Sequence, residues 1–111
     1  MALLIQALDA EALLVEMQSA IDAGKVRTWE YDSQGDFTHN LEQWKNKAWL
    51  RPRVLSDERL IFNIVAPQGQ RITKAVYGVY HGRFAEMVLS HFDDKCSWLR
   101  ATANAEMGDV L

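Results

Sequence analysis

Ile72 to Phe92 reads as one long helix with apolar residues on two opposite sides. At about 100° per residue, Ile72, Val76, Tyr80, Phe84, Met87 and Val88 form a bulky stripe. Ala75, Gly78, Gly82, Ala85 and Leu89 form a second stripe of mostly small residues, roughly across the axis. A helix with one apolar stripe covers a core and leaves its back in water. Two stripes predict a helix covered from both sides, by its own fold and by a second copy. Glycine inside a helix costs about 1 kcal/mol relative to alanine, a cost best tolerated where another backbone comes close. That backbone is either the domain's own sheet or a two-fold partner, and the second choice makes Gly78, Gly82, Ala85 and Leu89 the expected dimer interface.

Composition sets the limits around this helix. At 111 residues, 49% hydrophobic and 24% charged, the chain fits one folded domain over 1–111 with a single core. Cys96 is the only cysteine, so no intrachain disulfide forms and a cytoplasmic location is expected. As a residue type it reads as a small buried hydrophobe rather than a nucleophile. The apolar start, Ala2 to Leu8, has no basic flank and ends at Asp9, which argues against a signal peptide. No run approaches the roughly 20 residues that span a bilayer, so no membrane partner is expected. The net charge of −3 is unevenly spread: residues 1–43 carry −6, 44–74 carry +5 and 75–111 carry −2. A basic island in an acidic chain either neutralises its neighbours or presents a positive surface to an anionic partner.

Along the chain, Asp9 is a good N-cap for a helix to about Ala23, with Gly24 as its terminator. Residues 2–8 extend that helix or form a short strand; periodicity does not choose. Lys25 to Asp32 reads as a strand, Ser33-Gln34-Gly35 as a turn, and Asp36 to Asn46 as a polar loop with a short strand at Phe37 to His39. Lys47 to Leu55 alternates cleanly, with Ala48, Leu50, Pro52 and Val54 on one face and Lys47, Trp49, Arg51 and Arg53 on the other. Arg59 to Val65 is apolar on both faces, so it should lie centrally and return as the antiparallel partner. Residues 96–103 suit a last strand or a short helix, and 104–111 a flexible tail. The expected fold is α+β, a small antiparallel sheet of about three or four strands with an N-terminal and a long C-terminal helix, in α-β-β-β-α order. That order is similar to the order in double-stranded RNA binding domains, though no lysine cluster opens the last helix.

Three constellations could carry function. Lys47, Trp49, Arg51 and Arg53 combine charge with an aromatic plane on one strand face. Arg27, Trp29 and Tyr31 join them if the first strand pairs in a suitable register. Such surfaces bind single-stranded nucleic acid or other anions, although an acidic chain lacks the dominating positive field. In the polar loop, His39 lies three residues after Asp36 and close to Trp44, which would serve a small-ligand or catalytic site. No nucleophile, oxyanion hole or phosphate loop accompanies them. Of the other histidines, His91 falls in the bulky stripe as a core or interface residue and His81 near the exposed edge. No histidine pair or CxxC gives metal-ligand spacing, and no cofactor is expected.

These features lead to a non-catalytic interaction or regulatory protein, of the inhibitor or immunity-partner kind, acting as a homodimer that binds another protein. Nucleic-acid or anionic-ligand binding through the aromatic-basic face is the first alternative. A ligand or enzyme site at the His39 loop is the second.

Overall fold

The computed structural model describes residues 2–111. Its elements are β1 (Ala2–Ala7), α1 (Ala10–Asp22), β2 (Trp29–Tyr31), β3 (Phe37–His39), β4 (Trp49–Ser56), β5 (Arg59–Val65), α2 (Lys74–His91), a 3-10 turn (Asp93–Lys95) and β6 (Cys96–Ala101). The class is α+β as expected, but six strands replace the predicted three or four, in the order β2-β3-β4-β5-β1-β6. Every neighbouring pair is antiparallel. The extra strands are β1 and β6, so the chain begins and ends its folded elements on strands rather than helices. Within residues 2–8, Ala2–Ala7 form β1 because Leu3, Ile5 and Ala7 all point to the core while the strand is hemmed in by β5 and β6.

Several elements follow directly from their residues. Asp9 Oδ1 accepts from Ala12 N at 3.0 Å and starts α1. The helix ends at Ala23, followed by Gly24 at φ 74°, a left-handed value that glycine adopts without a Cβ clash. The β4–β5 hairpin pairs Leu50 with Ile64, Pro52 with Phe62 and Val54 with Leu60, and β5 lies inside the sheet.

Both helices cover one face of the sheet. Leu13 and Met17 of α1 and Tyr80, Phe84 and Val88 of α2 share a single buried cluster with Leu3, Ile5, Leu60, Phe62 and Ile64. At its centre the Phe84 ring lies 4.9 Å from Trp29, 5.7 Å from Phe37 and 4.6 Å from Phe62. The Trp29 and Phe37 rings meet it edge-on and the Phe62 ring tilted, contacts that add to area burial. β5 and β6 both run antiparallel to β1 between them, and α2 is the crossover that joins them.

The two-sided reading of α2 is corrected within the chain. In its bulky stripe Tyr80, Phe84, Met87 and Val88 are buried and Ile72 and Val76 half-buried, whereas Ala75, Gly78, Gly82 and Leu89 are exposed and Ala85 is half-buried. A Cβ added at Gly78 or Gly82 would meet nothing within 4 Å, so the domain's own sheet does not cover this side. The sheet takes the Tyr80–Phe84–Val88 side because those side chains are long enough to reach between the strands' core residues. The two helical histidines exchange places: His91 is exposed, whereas His81 is buried with its ring 4.1 Å from that of Tyr77.

Segment 104–111 folds back against the sheet. Val110 N donates to Ile64 O (3.0 Å) and Ala66 N to Val110 O (2.7 Å), while buried Asn63 donates to Met107 O and Asp109 Oδ1. Val110 thereby forms a parallel bridge with Val65, two residues along β5 from the Ala2–Asn63 pair.

Candidate functional site

With both helices on one face, the other face of the sheet carries no helix. Strand alternation puts Trp49, Arg51 and Arg53 there, as predicted from the β4 pattern, and register decides what stands beside them. Arg53, Ile61, Leu4 and Arg100 form one row across β4, β5, β1 and β6. Arg51, Asn63 and Ala2 form the next on one side; Arg59, Gln6 and Trp98 form the next on the other. The four arginines are exposed, Trp49 and Trp98 half-buried, and Ile61 and Asn63 buried. No acidic residue occupies any of these register positions. The arginine stems thereby lie along an apolar floor while their heads remain in water.

The arginines are held to different degrees. Arg51 Nε and Nη2 grip the buried Asp36 carboxylate, the closest contact being 2.9 Å. That pairing raises the Arg51 pKa further and commits most of its fork to one partner. Arg53 donates to Met107 O at 3.2 Å and Arg59 to Gln6 Oε1 at 2.9 Å, both neutral acceptors. Arg100 lies 4.4 Å and Arg59 5.5 Å from the Trp98 ring centre, so cation–π contact arranges both guanidiniums around one indole. Lys47 is exposed just before β4.

Other candidates are placed elsewhere. Trp29 does not join the open face: it is buried in the core against Phe84 and His39, and Tyr31 is on the same side of β2. His39 is 2% exposed, packed edge-on to Trp29 at 5.0 Å, and its Nδ1 accepts from Leu41 N at 3.1 Å. Burial, reinforced by the Arg83 charge, lowers its pKa. Its sequence neighbour Asp36 is turned away to Arg51. Trp44 is half-buried against the core and its carbonyl accepts from the Tyr80 hydroxyl, which pins the loop.

A cleft of about 450 Å³ separates α1 from the end of α2, lined in part by Glu16, Lys25, His91, Asp94 and Lys95. Its lining carries charges of both signs, and Lys95 Nζ pairs with Glu16 Oε1 at 3.8 Å. Burial and the neighbouring Asp93 and Asp94 push the Cys96 thiol up, away from the reactive thiolate. Among the described residues no three His, Cys, Asp or Glu gather to hold a metal ion, and no helix is long and apolar enough to cross a membrane.

Sequence reading put Trp49, Arg51 and Arg53 on one strand face but did not bring Arg59, Trp98 and Arg100 beside them. The alternation of Trp98 and Arg100 with Ser97 and Leu99 was a signal, but β6 is too short and mixed to be assigned as a strand without its partner. Comparisons of the chain with protein-family models, curated proteins and solved structures gave no match.

Proposed function

We propose that this protein acts by binding rather than turnover, and that the helix-free face of its sheet docks an acidic surface of another protein. The arrangement of Arg53, Arg59 and Arg100 with Trp98 on the helix-free face carries this reading. Arginine and tryptophan are the residues that dominate protein interfaces, and an arginine-rich face suits a partner of complementary charge. Nucleic acid fits less well, because the Trp98 ring that would stack on a base is already engaged by guanidinium groups. The chain's net charge of −3 also opposes a polyanion. Self-association belongs to the same proposal, with the exposed Gly78, Gly82 and Leu89 side of α2 facing a second copy.

Titration with poly-glutamate and with a single-stranded oligonucleotide of matched charge tests the docking face. Poly-glutamate should bind in a salt-dependent way, and Arg53→Ala/Arg59→Ala/Arg100→Ala should abolish the binding. Tighter oligonucleotide binding lost in the same variant would replace the reading with nucleic-acid recognition. Binding indifferent to the three arginines would end both.

A further inference from the structure

β6 is an edge strand whose outer side pairs with nothing among the described residues. Thr102 N donates inward to Ala2 O at 2.8 Å, and backbone groups of successive strand residues alternate in direction. Arg100 and Trp98 therefore turn their N–H and C=O groups toward β1, and Leu99 and Ala101 turn theirs outward. The opposite edge, β2, is only three residues long, whereas β6 has six, with neither proline nor glycine. Natural sheets usually blunt such an edge. The segment 104–111 bonds to Arg53, Asn63, Ile64 and Ala66, and near β6 to Thr102, whose Oγ1 donates to Asn104 O at 3.3 Å.

Side chains flanking the free groups differ by face. On the helix-free face the edge shows Trp98 and Arg100, with Arg59 behind them. On the helix side it shows half-buried Leu99. We infer that β6 accepts an extended acidic segment of a partner protein as a seventh strand, bonded through the main chain of Leu99 and Ala101. Acidic residues of that segment alternate toward Arg100 and Arg59, and apolar residues lie beside Leu99. Strand addition takes its affinity from main-chain bonds and its specificity from alternate side chains. Charge selects the occupant, because a second copy on this edge would bring two arginine clusters side by side. The inference rests on the docking face proposed above and names the form of the partner.

A short blocked peptide alternating glutamate and valine is the probe, read by titration and by amide exchange at Leu99 and Ala101. Two modified peptides accompany it, N-methylated at the valines, whose N–H groups face β6, or at the glutamates, whose N–H groups face away. The unmodified and glutamate-methylated peptides should bind and slow exchange at both amides. The valine-methylated peptide should bind about tenfold more weakly and leave exchange fast. Ala101→Pro, which removes an outward N–H at an exposed position where an edge tolerates proline, should weaken the unmodified peptide similarly. Equal binding of all three peptides would overturn strand addition and leave the docking face standing. No binding by any of them would overturn both. Slow exchange at Leu99 and Ala101 in the peptide-free protein, lost on dilution, would assign the edge to a second copy and overturn the inference.

Discussion

His39 shows how one hydrogen bond decides a residue's chemistry. With Nδ1 accepting from the Leu41 amide, the ring is neutral and carries its proton on Nε2. Protonation would set an N–H against an N–H inside the aromatic cluster. The folded-state pKa is accordingly lowered from 6.5 by burial, with Arg83 adding to the shift and Glu86 opposing it. The unfolded chain binds the proton more readily, so this contribution to stability is present above about pH 6.5 and is lost as pH falls through the lowered value. Thermal melts from pH 7.5 to 5 should show a decline that His39→Gln, which retains an acceptor, flattens. An NMR midpoint for His39 at or above 6.5 would contradict this account. A histidine three residues after an aspartate looked like a catalytic pair; Asp36 instead serves Arg51 on the other face of the sheet. Spacing along a chain cannot tell these cases apart, because the face a residue occupies depends on the strand it joins.

Among the elements, α2 separates two effects that a sequence superposes. Its helical state and its bulky stripe were legible, since period and length suffice for both. Which stripe finds a cover was not, because cover is supplied by strands far away in the chain. Gly78 and Gly82 have ordinary helical φ and open space around them. Gly78→Ala/Gly82→Ala should therefore stabilise the dilute protein by about 0.5–1 kcal/mol per site and raise its thermal midpoint. The same methyl groups should hold a second helix away. Light scattering at tens of micromolar is expected to show the dimer mass for the parent chain and a shift toward monomer for the variant. A monomer mass for the parent would remove the self-association part of the proposal. α1 and the β4–β5 hairpin were legible for a simpler reason: Asp9, Gly24 and the β4 alternation act through neighbours in the chain or across one turn. β1 and β6 were not: the short apolar run of β1 suits a buried helix or strand equally, and β6 is too mixed to read without its partner.

At the scale of the whole molecule, the sheet joins segments far apart in the chain. β1 lies between β5 and β6, and Val110 bridges Val65 in parallel, donating to Ile64 O and accepting from Ala66 N. Asn63 is 2% exposed and has its amide satisfied by Met107 O and Asp109 Oδ1. Deleting 104–111 should leave that amide and the Ile64–Ala66 backbone without these partners. A loss of about 2–3 kcal/mol in denaturant titration is expected. An unchanged midpoint would show that water replaces the segment at no cost. Composition, the absence of disulfide pairing, the helical periods, the caps and the alternation of β4 were all written in the residues, because each depends on contacts a few positions apart. Strand order, the covered side of α2 and the meeting of Arg53 with Arg59, Trp98 and Arg100 were settled by folding. Those features join strands separated by most of the chain, and a shift of one residue in their pairing would send every arginine to the opposite face.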